Sequence, residues 1–373
     1  MRTRRLARAV PLAALAVVVV LALTLLVAGG GDVRYVARVL AHGNSDITDV
    51  DWKAHVTAPA TRPVPWPGDG GDCHGAALPT RNAQSIVVIR EGVLACSWYG
   101  DGGAPDRPAA AFSVSKTVLS LLISRAVADG TLPGLDLPLT RAVPELAARD
   151  PRFSAITLAD LLDMRSGIAF SPSVPFPWVN QDQAAVYYAT DLAGTVLEKP
   201  VIAGPPGAFT YNDYGPNLVG LAYRRTTGAL VTGAPLARLW ADLGAQDPVA
   251  WTVDDHGFPY HESGLIVTAR DLARVGQSVL DRRDPAFAAR STDPVGRAPV
   301  APFDGTALGY RNGWWVLPRA DGGHDLVAMG DHGQVMVVSP TTRTVAVRMG
   351  DDDPVNIAIV RDLQAVANRI GAN

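Results

Sequence analysis

Lysine is nearly absent from this 373-residue chain, which holds only Lys53, Lys116 and Lys199. The other basic residues are arginine, and 33 basic against 36 acidic residues leave a net charge of −3. That balance gives no electrostatic footprint for nucleic acid, so nucleic acid is excluded as a partner. Charged residues make up only 18% and apolar ones 48%, which excludes a disordered polymer and describes a globular protein with a sizeable core. The seven histidines show no metal-ligand spacing, so neither a metal nor another cofactor is expected. No internal repeat or low-complexity tract appears beyond the N-terminal apolar run. The chain exceeds one average domain, although α/β enzymes often run this long as one folded unit.

Cysteine is scarcer than lysine: Cys73 and Cys96 are the only two. None follows the N-terminal apolar run closely, which excludes a lipid-modified N-terminus. That run extends from Ala9 to Gly29, broken only by Pro11 and Thr24, and Arg2, Arg4, Arg5 and Arg8 precede it. About twenty apolar residues suffice to span a bilayer, with the arginines kept cytoplasmic. The competing reading is a signal peptide cleaved after Val27-Ala28-Gly29. The run is longer than the usual apolar core of roughly 7–15 residues, which favours an uncleaved anchor over residues 1–30. Either way the body of the chain is exported, as a single-pass membrane protein with its folded part outside or as a secreted one. In an oxidising compartment Cys73 and Cys96 read as one disulfide, tying Gly68–Gly75 to the strand ending near Tyr99; two reduced thiols are the alternative that export disfavours.

Residues 31–80 are rich in Gly, Pro and Asp with little periodicity, and read as an extended leader. A folded region follows over 81–373. Ser85–Arg90 and Val93–Tyr99 flank Glu91-Gly92, a hairpin signal. From about 132 to 280 the pattern is mostly helical, including Leu158–Met164, closed by Ser166-Gly167, and Ala269–Leu280. Strands return at Gly313–Leu317, Gln334–Val338 and Thr344–Met349, and an amphipathic helix over about Val355–Ile370 closes the chain. Strands at both ends with helices between imply an α+β fold: an antiparallel sheet built from distant segments, flanked by helices, with an inserted mostly helical region.

One of the three lysines completes Ser113-Val-Ser-Lys116. On a helix, residues i and i+3 are surface neighbours, so this spacing sets a hydroxyl nucleophile and a candidate base on one face, as in penicillin-recognising serine enzymes. A solvated Ser and Lys on a helix surface is the plainer reading. It fits poorly, because Ala109–Phe112 and Val118–Ile123 make the helix apolar nearly all round, and such a helix is normally buried. Acyl transfer also needs a proton donor for the leaving group and an oxyanion hole. Pro206-Gly-Ala-Phe-Thr-Tyr211-Asn-Asp213 offers a tyrosine delivered by a Pro-Gly turn; alone, such a tyrosine usually only packs.

Together these stretches resemble the serine β-lactamase and penicillin-binding-protein superfamily, in particular its class C-like branch that includes esterases and the 6-aminohexanoate-dimer hydrolase. The matching stretches are Phe112-Ser113-Val-Ser-Lys116-Thr117, Ile156 through Ser166-Gly167, Pro206-Gly207 through Tyr211, Gly264 through Arg274, and Gly330-Asp-His332-Gly333-Gln334. They cover about residues 84–370 in the family's order and spacing. The resemblance implies a β-lactamase/transpeptidase-like fold, with Ser113 as the acylated nucleophile. It makes Lys116 the general base or the group that tunes one, and Tyr211 the shuttle for the leaving-group proton. Either a neutral lysine or a tyrosinate beside a lysinium would require burial and a neighbouring charge. The oxyanion hole would be the backbone N–H groups of Ser113 and Gln334.

Two departures from the family's pattern bear on substrate. Its Tyr-x-Asn is here Tyr211-Asn212-Asp213, with an acid in place of the amide. Its third motif, often Lys-Thr-Gly, reads Asp331-His332-Gly333, and an aspartate would repel the β-lactam carboxylate that the lysine binds. Asp213, Asp331, His332, Gly333 and Trp315 are the candidate substrate-binding residues, His332 with a packing role as its alternative. The pocket walls are expected around Pro175–Asn180 and Trp314-Trp315. The leading expectation is an exported serine hydrolase of a small-molecule amide or ester other than a β-lactam. A β-lactamase or D-alanyl-D-alanine carboxypeptidase comes second, and a catalytically silent membrane-tethered binding protein third.

Overall fold

The structure, a computed structural model, describes residues 17–43, 52–71, 73, 77–173, 178–292, 298–299, 308–351 and 356–372. Arg2 to Arg8, the start of the apolar run and Pro175 lie outside the described residues. The strands are β1 (Ala54–Ala58), β2 (Ala83–Arg90), β3 (Val93–Tyr99), β4 (Ala109–Ala110), β5 (Val249–Val253), β6 (Leu265–Val267), β7 (Ala298–Pro299), β8 (Gly309–Arg311), β9 (Trp314–Pro318), β10 (His324–Gly330), β11 (Gln334–Ser339) and β12 (Thr344–Gly350).

Eight of them form an antiparallel sheet in the order β3-β2-β12-β11-β10-β9-β8-β7. The expected hairpin is there: Glu91 and Gly92 both take positive φ, 49° and 79°, the conformation of a two-residue turn whose twist suits a hairpin. In β2 every residue from Ala83 to Ile89 is buried, because helices cover both faces. Strand side chains alternate between faces. Ile86 and Val88 therefore pack with Val360, Leu363 and Val366 of the C-terminal helix Ile357–Ala372. Val87 and Ile89 join the other core, which holds Leu119 and Leu122 of the helix Ser115–Ala128 and Leu272 and Val275 of Ala269–Leu280. The mixed architecture is the one the sequence implies, and the helix Ala269–Leu280 has the expected bounds, capped by Thr268, whose side chain accepts from Asp271 N.

The structure differs from the expectations in three places. Residues 31–80 are not uniformly extended: Val33–His42 is a helix, capped by Asp32, and β1 is a strand. The stretch 132–280 also contains β5 and β6. These segments build a second sheet in the order β1-β5-β6-β4, a pairing between distant segments that no local pattern encodes. The Leu158–Met164 helix is shorter than expected, Leu158–Leu162, and Met164 takes φ 56°, which ends it.

Among the described residues no single helix is long and apolar enough to cross a membrane. Val17–Ala28 is helical and bends by 108° into Val33–His42, and the pair passes only together. Val17, Val18, Val20 and Val27 are exposed, whereas Tyr35, Val36 and Val39 pack against Val179, Ala184 and Tyr188 of the body.

Cys73 and Cys96 are disulfide-bonded across a sequence separation of 23. Closing a loop of that size restricts the unfolded chain. Replacing both cysteines by serine should therefore lower stability by about 2–4 kcal/mol, seen as a fall in the urea midpoint, with a steeper slope because the freed unfolded chain exposes more surface. An unchanged midpoint would mean that the bridge adds nothing.

Candidate active site

The nucleophile turn is pinned to the small sheet. Ala110 in β4 pairs with Ile266 of β6, and Ala111 N donates to Leu265 O at 2.8 Å. The chain then turns sharply at Phe112, φ 45°, into the short 3-10 turn Phe112–Val114 and the helix Ser115–Ala128. Ser115 Oγ fastens this corner, donating to Phe112 O at 2.5 Å and accepting from Leu265 N at 2.9 Å. The large sheet presses on the same turn: a Cβ on Gly330 would lie 2.3 Å from Ala111 O, so only glycine fits there.

Lys116 is 3% exposed, and its Nζ donates to Ser113 Oγ at 2.8 Å and to Glu262 O at 3.0 Å. The same ammonium lies 2.8 Å from Asp213 Oδ1, an ion pair whose angle is off the line of a hydrogen bond. It also stands 4.9 Å from the centroid of the Tyr211 ring. Burial pulls the lysine's proton affinity down, but the Asp213 carboxylate first, then Tyr211 and Glu262, outweigh it and hold Lys116 above the usual lysine range. Lys116 is therefore a cation at neutral pH. Of the two possibilities left by the sequence, a neutral lysine base and a tyrosinate beside a lysinium, a charged Lys116 belongs to the second.

Tyr211 and Asp213 reach the site through a loop tied to Arg165 and Met164: Gly207 N donates to Arg165 O and Thr210 N to Met164 O, each at 2.8 Å. Asn212 stabilises the entry to the helix Tyr214–Thr227, its Oδ1 accepting from Gly215 N at 2.8 Å. With that bond made by Asn212, the Asp213 side chain makes no capping bond and turns to Lys116. Asp213 also lines the cleft over Ser113. Tyr211 stacks on Trp315 with ring centroids 5.5 Å apart and meets Tyr310 edge-on at 6.0 Å, so Trp315 is brought to the site as a wall behind the tyrosine.

A cleft of about 190 Å³ opens over Ser113, lined in part by Phe112, Gln181, Tyr187, Asp213, Ser263 and Asp331. Among the described residues no basic side chain lines it. A larger pocket of about 490 Å³ between Arg125 and Arg238 lies elsewhere and touches none of these residues. Asp331 is exposed at the cleft rim, and its Oδ1 accepts from His332 N at 3.0 Å. His332, with φ 57°, has its ring 5.0 Å from that of Phe112. Gly333 is buried, and its carbonyl accepts from Arg348 Nη1 at 2.6 Å. The Gln334 N–H donates to Asp331 O within that turn, so it would have to leave that bond to serve an oxyanion.

Two members of this cluster have no counterpart among the sequence-derived candidates. Glu262 is 1% exposed, and its carboxylate accepts from Asn217 Nδ2 and Ser263 Oγ, each at 2.8 Å. Burial pushes it up, and the neighbouring Asp213 adds to that. Lys53 is buried close by. The rarity of lysine, which singles out Lys116, marked Lys53 equally; nothing local marked Glu262.

A model of the Beta-lactamase family matches residues 71–367. The 6-aminohexanoate-dimer hydrolase of Paenarthrobacter ureafaciens is 26% identical over 294 residues, covering 71% of this chain and 72% of that protein. Among solved structures, a Bacillus anthracis protein described as a 6-aminohexanoate-dimer hydrolase superposes with a TM-score of 0.71 at 20% identity, over 91% of this chain and 93% of that one. A penicillin-binding-protein homolog from Caulobacter crescentus superposes at 0.60 and 18% identity, over 77% and 92%.

Proposed function

This chain belongs to the Beta-lactamase family, a hydrolase fold, and on that premise we propose that it is an exported serine hydrolase that opens an amide or ester through an acyl-enzyme on Ser113. The observation that carries this reading is the 2.8 Å contact between Lys116 Nζ and Ser113 Oγ inside a buried ring of charge. Ser113 Oγ attacks the substrate carbonyl carbon while its proton passes to Tyr211, which meets it as a phenolate. The Lys116 cation, fixed by Asp213 and the Glu262 carbonyl, stabilises the negative charge of that phenolate and of the Ser113 oxygen as it loses its proton. Tyr211 then returns the proton to the leaving amine or alcohol, and water repeats the sequence to free the acid and restore Ser113. The homologous hydrolase named for an aminohexanoate dimer makes a linear amide the first substrate class to try. A fluorophosphonate probe should label the wild type and not Ser113→Ala; equal labelling of both would remove Ser113 from the chemistry.

Export and an N-terminal anchor belong to the same proposal. They are supported by the Cys73–Cys96 bridge, which suits an oxidising compartment, and by the exposed apolar helix Val17–Ala28 behind four arginines. The division into residues 1–30, a connecting segment and a catalytic region over 81–373 follows from it.

β-Lactams should be poor substrates. Among the described residues the cleft is lined by Asp213 and Asp331 and by no basic side chain, so a substrate carboxylate would meet Asp331 unbalanced, Asp213 being paired with Lys116. An unfavourable like-charge contact costs several kcal/mol, and each ~1.4 kcal/mol is a factor of ten. Nitrocefin turnover should accordingly fall orders of magnitude below that of a short acyl ester, with Asp331→Lys narrowing the gap. Efficient nitrocefin hydrolysis by the wild type would instead favour a β-lactamase.

A further inference from the structure

Lys116 is gripped by two segments that lie far apart in the chain. The Asp213 carboxylate, 2.8 Å from Nζ, precedes the helix Tyr214–Thr227. The Glu262 carbonyl, 3.0 Å from Nζ, lies between β5 and β6. The grip is only as firm as the spacing of those two segments, and one side chain spans it. Asn217, in the first turn of that helix and 0% exposed, donates through Nδ2 to Asp213 O and to Glu262 Oε2, each at 2.8 Å. Its Oδ1 accepts from His261 N at 2.9 Å. An asparagine amide carries two donor hydrogens and one acceptor oxygen, so both donors and the oxygen are engaged.

A second contact shows how closely the two segments meet. Gly220 is three residues on from Asn217, hence on the same helix face, and a Cβ there would lie 2.1 Å from the His261 ring. The chain at His261 is therefore pressed against the helix with no room for a side chain between. The Glu262 carboxylate is held at its other oxygen too, Oε1 accepting from Ser263 Oγ at 2.8 Å. Fixing that side chain fixes the residue whose carbonyl receives Lys116.

We propose that Asn217 is a positioning residue for the hydrolysis proposed above, on which the inference rests: by tying Asp213 to Glu262 it sets Lys116 Nζ against Ser113 Oγ. Asn217 does not line the cleft, so it acts through Lys116 and not on the substrate. A misplacement of about 1 Å caused from outside the reacting groups costs on the order of 10²-fold in rate. Loosening this tie should therefore slow the reaction without weakening binding.

Two substitutions change the tie and leave every charge around Lys116 in place. Asn217→Ser lets a hydroxyl bond back to Asp213 O, four residues earlier, but a serine is too short to reach Glu262. Asn217→Gln keeps the amide and lengthens the arm by one methylene. Each should lower kcat for a short acyl ester by about 10–10²-fold at little change in KM, the mark of a loss felt in the transition state alone. Where one of them fails to fold, the other carries the test. The shortage of lysine supplies a readout besides activity: with 13C at Cε the chain gives three NMR signals, exposed Lys199 being the reference. Lys116 Nζ stands 4.9 Å from the centroid of the Tyr211 ring, so the ring current should set its signal apart. In both variants that signal should move towards Lys199. Asn217→Asp/Glu262→Gln reverses the bond, the new amide donating to the new carboxylate, and should recover most of kcat and of the Lys116 signal. A wild-type kcat or an unmoved Lys116 signal in either folded single variant overturns the proposal. So does a double variant that regains the thermal midpoint but not the Lys116 signal, since the bond then serves stability alone. If the wild type hydrolyses nothing while the Lys116 signal moves and returns as stated, the positioning stands and only the hydrolase reading falls.

Discussion

Ser113→Ala is expected to abolish turnover, Lys116→Ala to lose nearly as much, and the double variant to be no worse than either. Ser113 Oγ is bonded directly to Lys116 Nζ, so the two act as a unit, and losses within a unit are grossly non-additive. A fall of ~10⁴–10⁶ in kcat is the scale for removing such a nucleophile. The two singles nevertheless differ in stability. Ser113→Ala removes a hydroxyl from a turn held by Ser115, and should leave the thermal midpoint near that of the wild type. Lys116→Ala strands the half-buried Asp213 carboxylate without its cation. Breaking a buried pair in this way typically costs about 3–5 kcal/mol. Adding Asp213→Asn removes the uncompensated charge beside the vacancy and should recover part of the stability but none of the activity. Steady-state kinetics and urea unfolding of the four variants separate the two effects. A double variant far less active than either single would show that Ser113 and Lys116 are not one unit, and full activity in Ser113→Ala would end the assignment.

The contrast between these residues also explains what the sequence could reveal. Ser113 and Lys116 are three apart on one helix, so their meeting is a local fact of helical geometry. The Glu91-Gly92 hairpin and the helix Ala269–Leu280 are local in the same sense, and both are where the pattern puts them. Glu262 is 146 residues from Lys116 and sits in a turn after β5, with no periodicity around it. It reaches the site because β6 pairs with β4 beside the nucleophile. Strand β1, which brings in Lys53, is in place only through pairing with β5, nearly 200 residues later in the chain, by the register Ala54↔Val253. Composition around it reads as Gly- and Pro-rich loop, and tertiary pairing overrides that. The Ser113–Lys116 contact was therefore legible and the charges around it were not. Asp213 lies between the two cases: its departure from the family's amide was visible, but its partner was not.

Tyr211→Phe should lower kcat by on the order of 10²–10⁴, the usual worth of a positioned general acid and base, without unfolding the protein. Stability should hold because the ring keeps its packing: its stacking on Trp315 and its edge contact with Tyr310 involve the face of the ring and not the hydroxyl. Lys116 also keeps Ser113, Asp213 and the Glu262 carbonyl as partners. The loss should fall on kcat and on kcat/KM alike, since the proton moves only as the tetrahedral species forms and collapses. An ester with a good leaving group, such as a nitrophenolate, departs without being protonated, so Tyr211→Phe should hurt deacylation and amide cleavage more than the first ester burst. Burst kinetics on a nitrophenyl ester beside steady-state cleavage of the matching anilide distinguish these steps. If a folded Tyr211→Phe protein cleaves the anilide at the wild-type rate, the proton is carried by another group, and His332, its ring 5.0 Å from that of Phe112, is the next residue to replace.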